Sequence, residues 1–298
     1  MRARAFVLVA SVVLTACSDR GTVPSPAATP VPSIGRADVG GYELAYACEG
    51  DGAPTVVLEA GLGAAGTSQF ASFVDRVAGI TRVCTYDRAG TGSSDRRPAD
   101  IGPVTAGLMA RELESLLGAM GVEPPVVIAA HSYGGMPARA FAGTYPEDVA
   151  GLVLIEASSE PEVPVYERLD AGPWIDGTDR IDIHATVDEL RAAGDLDGLP
   201  LVVVTAERIE DEWLATVPKL AAGAQARLAG LSSSAIHVVA VGSGHFVYEE
   251  EPDVVVAAIR VVVEAARSGS GLAGCEDAFE GLQATCVEPG ASPELVPA

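Results

Sequence analysis

Seven short apolar runs, separated by segments of helical period, constrain this chain more than any other feature. They are Tyr42–Cys48, Thr55–Glu59, Arg82–Tyr86, Val126–Ala130, Leu152–Ile155, Leu201–Thr205 and Ile236–Val241. Each is too short for a buried helix and fits a strand. The first alternates in period two, as an antiparallel edge strand does. The later ones are mostly continuous Val, Ile and Leu, as parallel strands covered on both faces are. Between them, Thr105 to Met120 puts Leu108, Met109, Leu113, Leu116 and Leu117 on one helical face and stops at Gly121. Asp253 to Arg267 does the same with Val255, Ala258, Ile259, Val262, Val263 and Ala266. Strands alternating with helices predict an α/β fold, a mostly parallel central sheet with helices on both faces. The 298 residues, 48% hydrophobic, suffice for one such core.

The two ends read differently. Arg2 and Arg4 precede an apolar run, Ala5 to Leu14, and then Leu14-Thr15-Ala16-Cys17. A basic start, a short apolar stretch and small residues make a secretory signal, and the run is too short to span a bilayer. Leu-Thr-Ala-Cys resembles the lipobox of bacterial lipoproteins, which implies that Cys17 is lipidated and becomes the new N-terminus. Residues 1–16 are thus expected to be a signal peptide. Residues 17–38, rich in Pro, Ser, Thr, Ala and Gly, are expected to be a flexible tether. A domain over 39–268 and a C-terminal extension over 269–298 follow. The stretch from Ala157 to Gly198 holds no strong strand and carries Pro161, Pro164 and Trp174. It reads as a lid over about 157–198.

Export exposes the remaining cysteines to oxidising conditions. Of the three possible pairings, Cys48–Cys84 and Cys275–Cys286 are expected. Cys48 and Cys84 each lie in an apparent strand, and Cys275 and Cys286 lie close together in an extension with little else to fix it. No Cys–His cluster has zinc spacing, so no metal site is expected. The net charge is −22, and removing Met1 to Ala16, with two arginines and no acid, makes it −24. Such a surface repels nucleic acid and anionic lipid. Membrane contact is expected through the lipid anchor alone, on a chain exported and facing outward.

The stretch Val126–Phe141, VVIAAHSYGGMPARAF, carries the chemistry. An apolar strand ends at Ser132, and Gly134 and Gly135 permit a sharp turn into a helix that tolerates Pro137 in its first turn. This is the design of the G-x-S-x-G nucleophile elbow, with Ala130 in place of the first glycine. An ordinary strand–helix junction with an N-capping serine is the plain alternative. A serine nucleophile needs a base. Of the four histidines, His131 adjoins the serine with its side chain expected to point away, His184 lies in the lid, and His237 alternates within the last strand. His245 lies in the flexible loop Gly242-Ser243-Gly244-His245, just past that strand, where catalytic loops gather in open α/β sheets. An oxyanion hole needs backbone N–H donors. Tyr133, after the serine, would give one. Leu62, in the glycine-rich loop Glu59–Gly66, is the best candidate for the other, and that loop lacks the lysine of a P-loop.

These segments together resemble the α/β-hydrolase fold superfamily, in particular exported bacterial serine hydrolases of the lipoprotein type. The matching residues are Thr55–Gly63, Tyr86–Ser94, His131–Gly135 and Gly242–His245, in the family's order, over roughly residues 40 to 267. The resemblance implies the fold and the roles of Ser132 and His245. It also implies a third, acidic member following the next-to-last strand, and there the chain departs. Ile209 falls about where the acid would stand, with Glu207, Glu210 and Asp211 close by. In some branches the acid follows the preceding strand, which here ends Leu154-Ile155-Glu156. Glu156 is the expected acid, because it emerges at the sheet's catalytic edge beside the serine strand and is costly there unless paired.

The expected function is a serine hydrolase of carboxylic esters that takes a small-molecule ester and needs no cofactor. A peptidase or amidase on the same scaffold is the alternative within enzymes. A silent, ligand-binding lipoprotein is the alternative outside them.

Overall fold

The computed structural model describes residues 34–168, 172–194, 196–211 and 214–297. The expected signal peptide, the lipobox-like stretch with Cys17 and the first part of the expected tether lie outside the described residues.

Among the described residues nine strands form one sheet: β1 (Ile34–Asp38), β2 (Glu43–Glu49), β3 (Val56–Glu59), β4 (Val83–Tyr86), β5 (Val126–His131), β6 (Val149–Ile155), β9 (Leu201–Ala206), β11 (Ala235–Ala240) and β12 (Ala284–Val287). Four two-residue strands complete the numbering: β7 (Ile175–Asp176), β8 (Asp179–Arg180), β10 (Arg208–Ile209) and β13 (Val296–Pro297). The sheet order is β1-β2-β4-β3-β5-β6-β9-β11-β12. From β4 through β11 neighbouring strands are parallel, and β1, β2 and β12 join antiparallel.

Successive residues of a strand point to opposite faces, and here both faces are covered. Along β5, Val126, Ile128 and Ala130 enter one core, and Val127 and Ala129 enter the other. The first core includes residues of the helices Ala106–Met120, Gly135–Thr144 and Ile183–Ala193. The second takes Phe70, Phe73 and the apolar face of helix Pro252–Ser268. That two-sided burial is why the central strands read as unbroken apolar runs. At the ends of the Ala106–Met120 helix, Thr105 caps the Leu108 N–H and Gly121 turns into the left-handed region at φ 65°.

The structure corrects both expected boundaries. Residues 34–38 are not tether: they pair with β2 as an edge strand, so the Tyr42–Cys48 run lies one place inside the sheet. Nor is 269–298 a mere extension. It supplies β12, which pairs with β11 along His237–Ala240, and β13, which pairs with β10. Without β12 the ladder groups of β11 on that side would have no strand partner. Composition hid both segments, because neither is strongly apolar. Disulfides join Cys48 to Cys84, directly opposite each other on β2 and β4, and Cys275 to Cys286, which ties a short helix to β12. Both are the expected pairs. No helix among the described residues is long and apolar enough to cross a membrane.

Candidate active site

Ser132 stands on the turn between β5 and the helix Gly135–Thr144, with φ at 54°. A positive φ costs a residue with a Cβ about 1–3 kcal/mol and persists only where the surroundings enforce it. Tight packing enforces it here. A Cβ on Gly134 would lie 2.4 Å from the Ala60 carbonyl oxygen, and one on Gly135 would lie 2.6 Å from the Ala157 Cβ. The Ser158 N–H donates to the Ser132 carbonyl at 2.9 Å, joining the turn to the loop after β6.

His245 Nε2 lies 3.1 Å from Ser132 Oγ, across 113 residues of sequence. Burial lowers the proton affinity of this imidazole, and the charges of Asp211 and Glu210 raise it in part. Its backbone N–H donates to Glu210 Oε2 at 3.1 Å. Both side chains open into a cavity of about 490 Å³ that Leu62, Tyr133, Trp174 and Phe246 also line. Leu62 and Tyr133 thus stand beside the serine. The residues flanking Leu62 are anchored: the Gly61 N–H donates to Gln69 Oε1 at 3.0 Å and the Gly63 N–H to Asp176 Oδ1 at 2.7 Å.

Glu156 follows β6 directly and lines the same cavity. Besides Ser132, it is the other non-glycine residue with positive φ among the described residues, at 42°. Its N–H donates to the Val204 carbonyl at 2.7 Å and its Oε2 accepts from the Ala206 N–H at 2.6 Å. Burial pushes its carboxyl up to about 7, although the Ala206 hydrogen bond favours the charged form. Among the described residues it makes no hydrogen bond to His245. Asp211 and Glu210, the alternative acids, are the carboxylates that bear on His245 electrostatically. Asp211 is itself held by the Tyr166 hydroxyl at 3.1 Å and the Leu214 N–H at 2.9 Å. Glu207 accepts from the Gly242 N–H at 2.8 Å and does not line the cavity. Glu162, buried on the cavity wall, is pushed up to about 8, mainly by burial.

Sequence reasoning missed the support beneath this loop. Arg88 is fully buried and uses all five of its N–H donors. Nη1 reaches Glu59 Oε1 at 2.6 Å and the Ala60 carbonyl at 2.7 Å, and Nη2 reaches the Gly61 carbonyl at 2.5 Å. Nε and Nη2 clasp Asp176 at 2.8 and 2.6 Å. Burial alone would keep Asp176 protonated, but the Arg88 charge holds its carboxyl below the usual range. Asp176 belongs to the β7–β8 hairpin in the segment read as a lid. On the same hairpin Asp179 pairs with buried Arg97 at 2.7 Å, and Arg97 also grips Glu112. Arg88 belongs to the Tyr86–Ser94 segment, one of those that carry the resemblance. An arginine within an otherwise small-residue loop was its one visible signal.

The other histidines divide cleanly. His237 meets Thr205 Oγ1 at 2.8 Å inside the sheet, and exposed His184 pairs with Glu167. His131 does not turn away from the site as expected: its ring lies 4.7 Å from that of His245, centroid to centroid. Among the described residues no cluster of three or more His, Cys, Asp or Glu could hold a metal ion.

A family model described as alpha/beta hydrolase fold matches residues 54–189. An AB hydrolase superfamily protein of Gibberella zeae is 40% identical over 111 residues, 36% of this chain and 33% of its own length. The Bacillus subtilis protein YqjL is 29% identical over 227 residues, 71% of this chain and 84% of its own. The matched part thus spans about a third of the Gibberella relative. Among solved structures, a thermophilic esterase from Thermogutta terrifontis superposes with a TM-score of 0.57 at 21% identity, covering 79% of this chain and 99% of that one.

Proposed function

The chain has the fold of the α/β-hydrolase superfamily, and on that premise we propose that it is a serine hydrolase cleaving carboxylic esters through an acyl-enzyme intermediate. One observation carries the reading: His245 Nε2 at 3.1 Å from the hydroxyl of a serine held at positive φ on a strand–helix turn. Ser132 Oγ attacks the ester carbonyl carbon while its proton passes to His245 Nε2. The carbonyl oxygen takes up negative charge against the N–H groups of Leu62 and Tyr133. The tetrahedral adduct collapses, and His245 returns the proton to the departing alkoxide. Water, deprotonated by the same imidazole, then releases the acid. Glu156 is proposed as the acid that accepts the His245 Nδ1–H, with Oε2 on Ala206 and Oε1 left for the imidazole. Its enforced positive φ supports this, since such strain gathers at functional positions.

The acidic side chains of Glu210 and Asp211 on the cavity wall favour a second reading, a peptidase whose substrate presents an ammonium group to them. The proposed setting is a lipid-anchored protein outside the cell membrane, supported by the Leu14–Cys17 lipobox.

A fluorophosphonate probe together with p-nitrophenyl esters of rising chain length tests the reading. Ser132→Ala should abolish labelling and turnover while the fold survives. Equal labelling of the variant and the parent protein refutes it. Faster cleavage of amino-terminal p-nitroanilides than of the esters favours the peptidase.

A further inference from the structure

The mechanism above makes no use of His131, although it is a buried imidazole beside the nucleophile. Its surroundings form a continuous chain of hydrogen bonds. The Gly61 N–H donates to Gln69 Oε1 at 3.0 Å, which fixes the direction of the amide. The nitrogen end of that amide, Gln69 Nε2, therefore faces His131 Nδ1 at 3.1 Å. An amide N–H can only donate, so Nδ1 accepts and the ring proton sits on Nε2. At the far side His131 Nε2 lies 2.9 Å from the His245 carbonyl oxygen, which can only accept. Both ends demand the same neutral tautomer. The ring is wedged between Phe246, stacked at 5.7 Å, and Tyr248, edge-on at 5.1 Å, so its plane is fixed as well.

We propose that Gln69 and His131 are positioning residues for this reaction: their hydrogen-bond chain ties the loop carrying Leu62 to the loop carrying His245, keeping the oxyanion donor and the base in register around Ser132. The inference rests on the serine-hydrolase reading. Neither residue touches the reacting atoms. Gln69 acts on the backbone one residue before Leu62, and His131 acts on the backbone carbonyl of His245 itself. Space is tight along the chain. A Cβ on Gly61 would lie 3.2 Å from His131 Nδ1, so a side chain there would press on the ring, and it would touch the Ser132 Cβ at 3.5 Å. Neutrality also matters. A cation 4.7 Å from the His245 ring would oppose the imidazolium that forms as Ser132 attacks. Burial keeps His131 down at about 3, so it stays uncharged where the reaction runs.

The test separates the N–H from the ring. His131→Phe keeps an aromatic wedge but removes the donor. It should lower kcat about 10- to 100-fold with KM little changed, the size of loss a displaced catalytic group produces. His131→Gln returns an amide N–H toward the His245 carbonyl and should recover most of that loss. Gln69→Leu should fall like His131→Phe, and the double variant should be no worse than either single one. Thermal unfolding of each variant, matching the parent, shows that the fold is intact. Parent-like kcat in His131→Phe, or equal losses in the Phe and Gln variants, overturns the proposal.

A measurement independent of turnover distinguishes failure of the hydrolase reading. Imidazole nitrogen NMR should find His131 neutral with its proton on Nε2 between about pH 5 and 8. The His245 ring resonances should move in His131→Phe. A proton on Nδ1, or unmoved His245 resonances, overturns the relay even in a protein that hydrolyses nothing.

Discussion

Replacing Glu156 with glutamine should cost catalysis and gain stability at once. The carboxyl stands in a partly closed site where burial pushes it from 4.5 up to about 7. A folded-state value above the unfolded one means the native protein binds the proton more tightly. The associated cost is therefore absent below the unfolded value, grows as pH rises from 4.5 through about 7, and is complete above that. At about 1.4 kcal/mol per factor of ten in proton affinity, the ceiling is about 3 kcal/mol. The carboxyl meets the cavity on one side, so water screens it and about 1–2 kcal/mol is the better expectation. Glutamine keeps an oxygen for the Ala206 N–H and carries no charge. Urea unfolding at pH 8 should find Glu156→Gln more stable than the parent by that amount, with the difference vanishing near pH 4. Activity should move the other way, with kcat falling by about 10⁴ if Glu156 steadies the His245 imidazolium. The parent's kcat/KM should then rise with pH through about 7, where Glu156 ionises. Equal stability of variant and parent at pH 8 refutes the burial argument. Parent-like kcat in Glu156→Gln with a dead Asp211→Asn moves the acid to the loop after β9. In that case the activity limb should lie below 6.5, where burial places His245.

Asp176→Ala strips Arg88 of a clasping partner and should cost about 3–5 kcal/mol in chemical denaturation, as breaking a buried ion pair does. It should also lower kcat, because the Gly63 N–H beside Leu62 loses its acceptor. Gly134→Ala drives a methyl into the Ala60 carbonyl and should cut turnover about tenfold or more while leaving the disulfides formed, measured by ester hydrolysis and thiol titration. The Cys48→Ala/Cys84→Ala pair opens a 36-residue loop and should lose about 2–4 kcal/mol in urea unfolding. Cys17→Ala should leave the protein in its precursor form or release it from membranes, read by fractionation and mass spectrometry.

Much of the fold was legible because a two-sided core writes itself into the chain. Val126–Ala130 and Leu201–Val204 are apolar at every position because each faces a core on either side of the sheet. The Ser132 turn was legible from Gly134 and Gly135, whose lack of side chains the packing demands. The disulfide partners followed from placing Cys48 and Cys84 in strands. What stayed hidden has no period. Arg88 and Asp176 lie 88 residues apart, and neither neighbourhood marks a buried charge. Gln69 and His131 are joined through space across 62 residues. β1 and β12 are edge strands of mixed polarity, drawn in by unpaired ladder groups and by the Cys275–Cys286 link rather than by apolar patterning. The acid was ambiguous because two strand ends, after β6 and after β9, each offer carboxylates to the one cavity.

The β7–β8 hairpin is fastened at both of its strands, to Arg88 through Asp176 and to Arg97 through Asp179. A hairpin held by ion pairs to two buried arginines does not swing like a flap. Trp174, the residue just before the hairpin, lines the cavity, so the hairpin steadies that part of the cavity wall. On the hydrolase reading, a wall so held would choose among substrates through lining side chains such as Trp174 and Phe246, without disturbing the chemistry below.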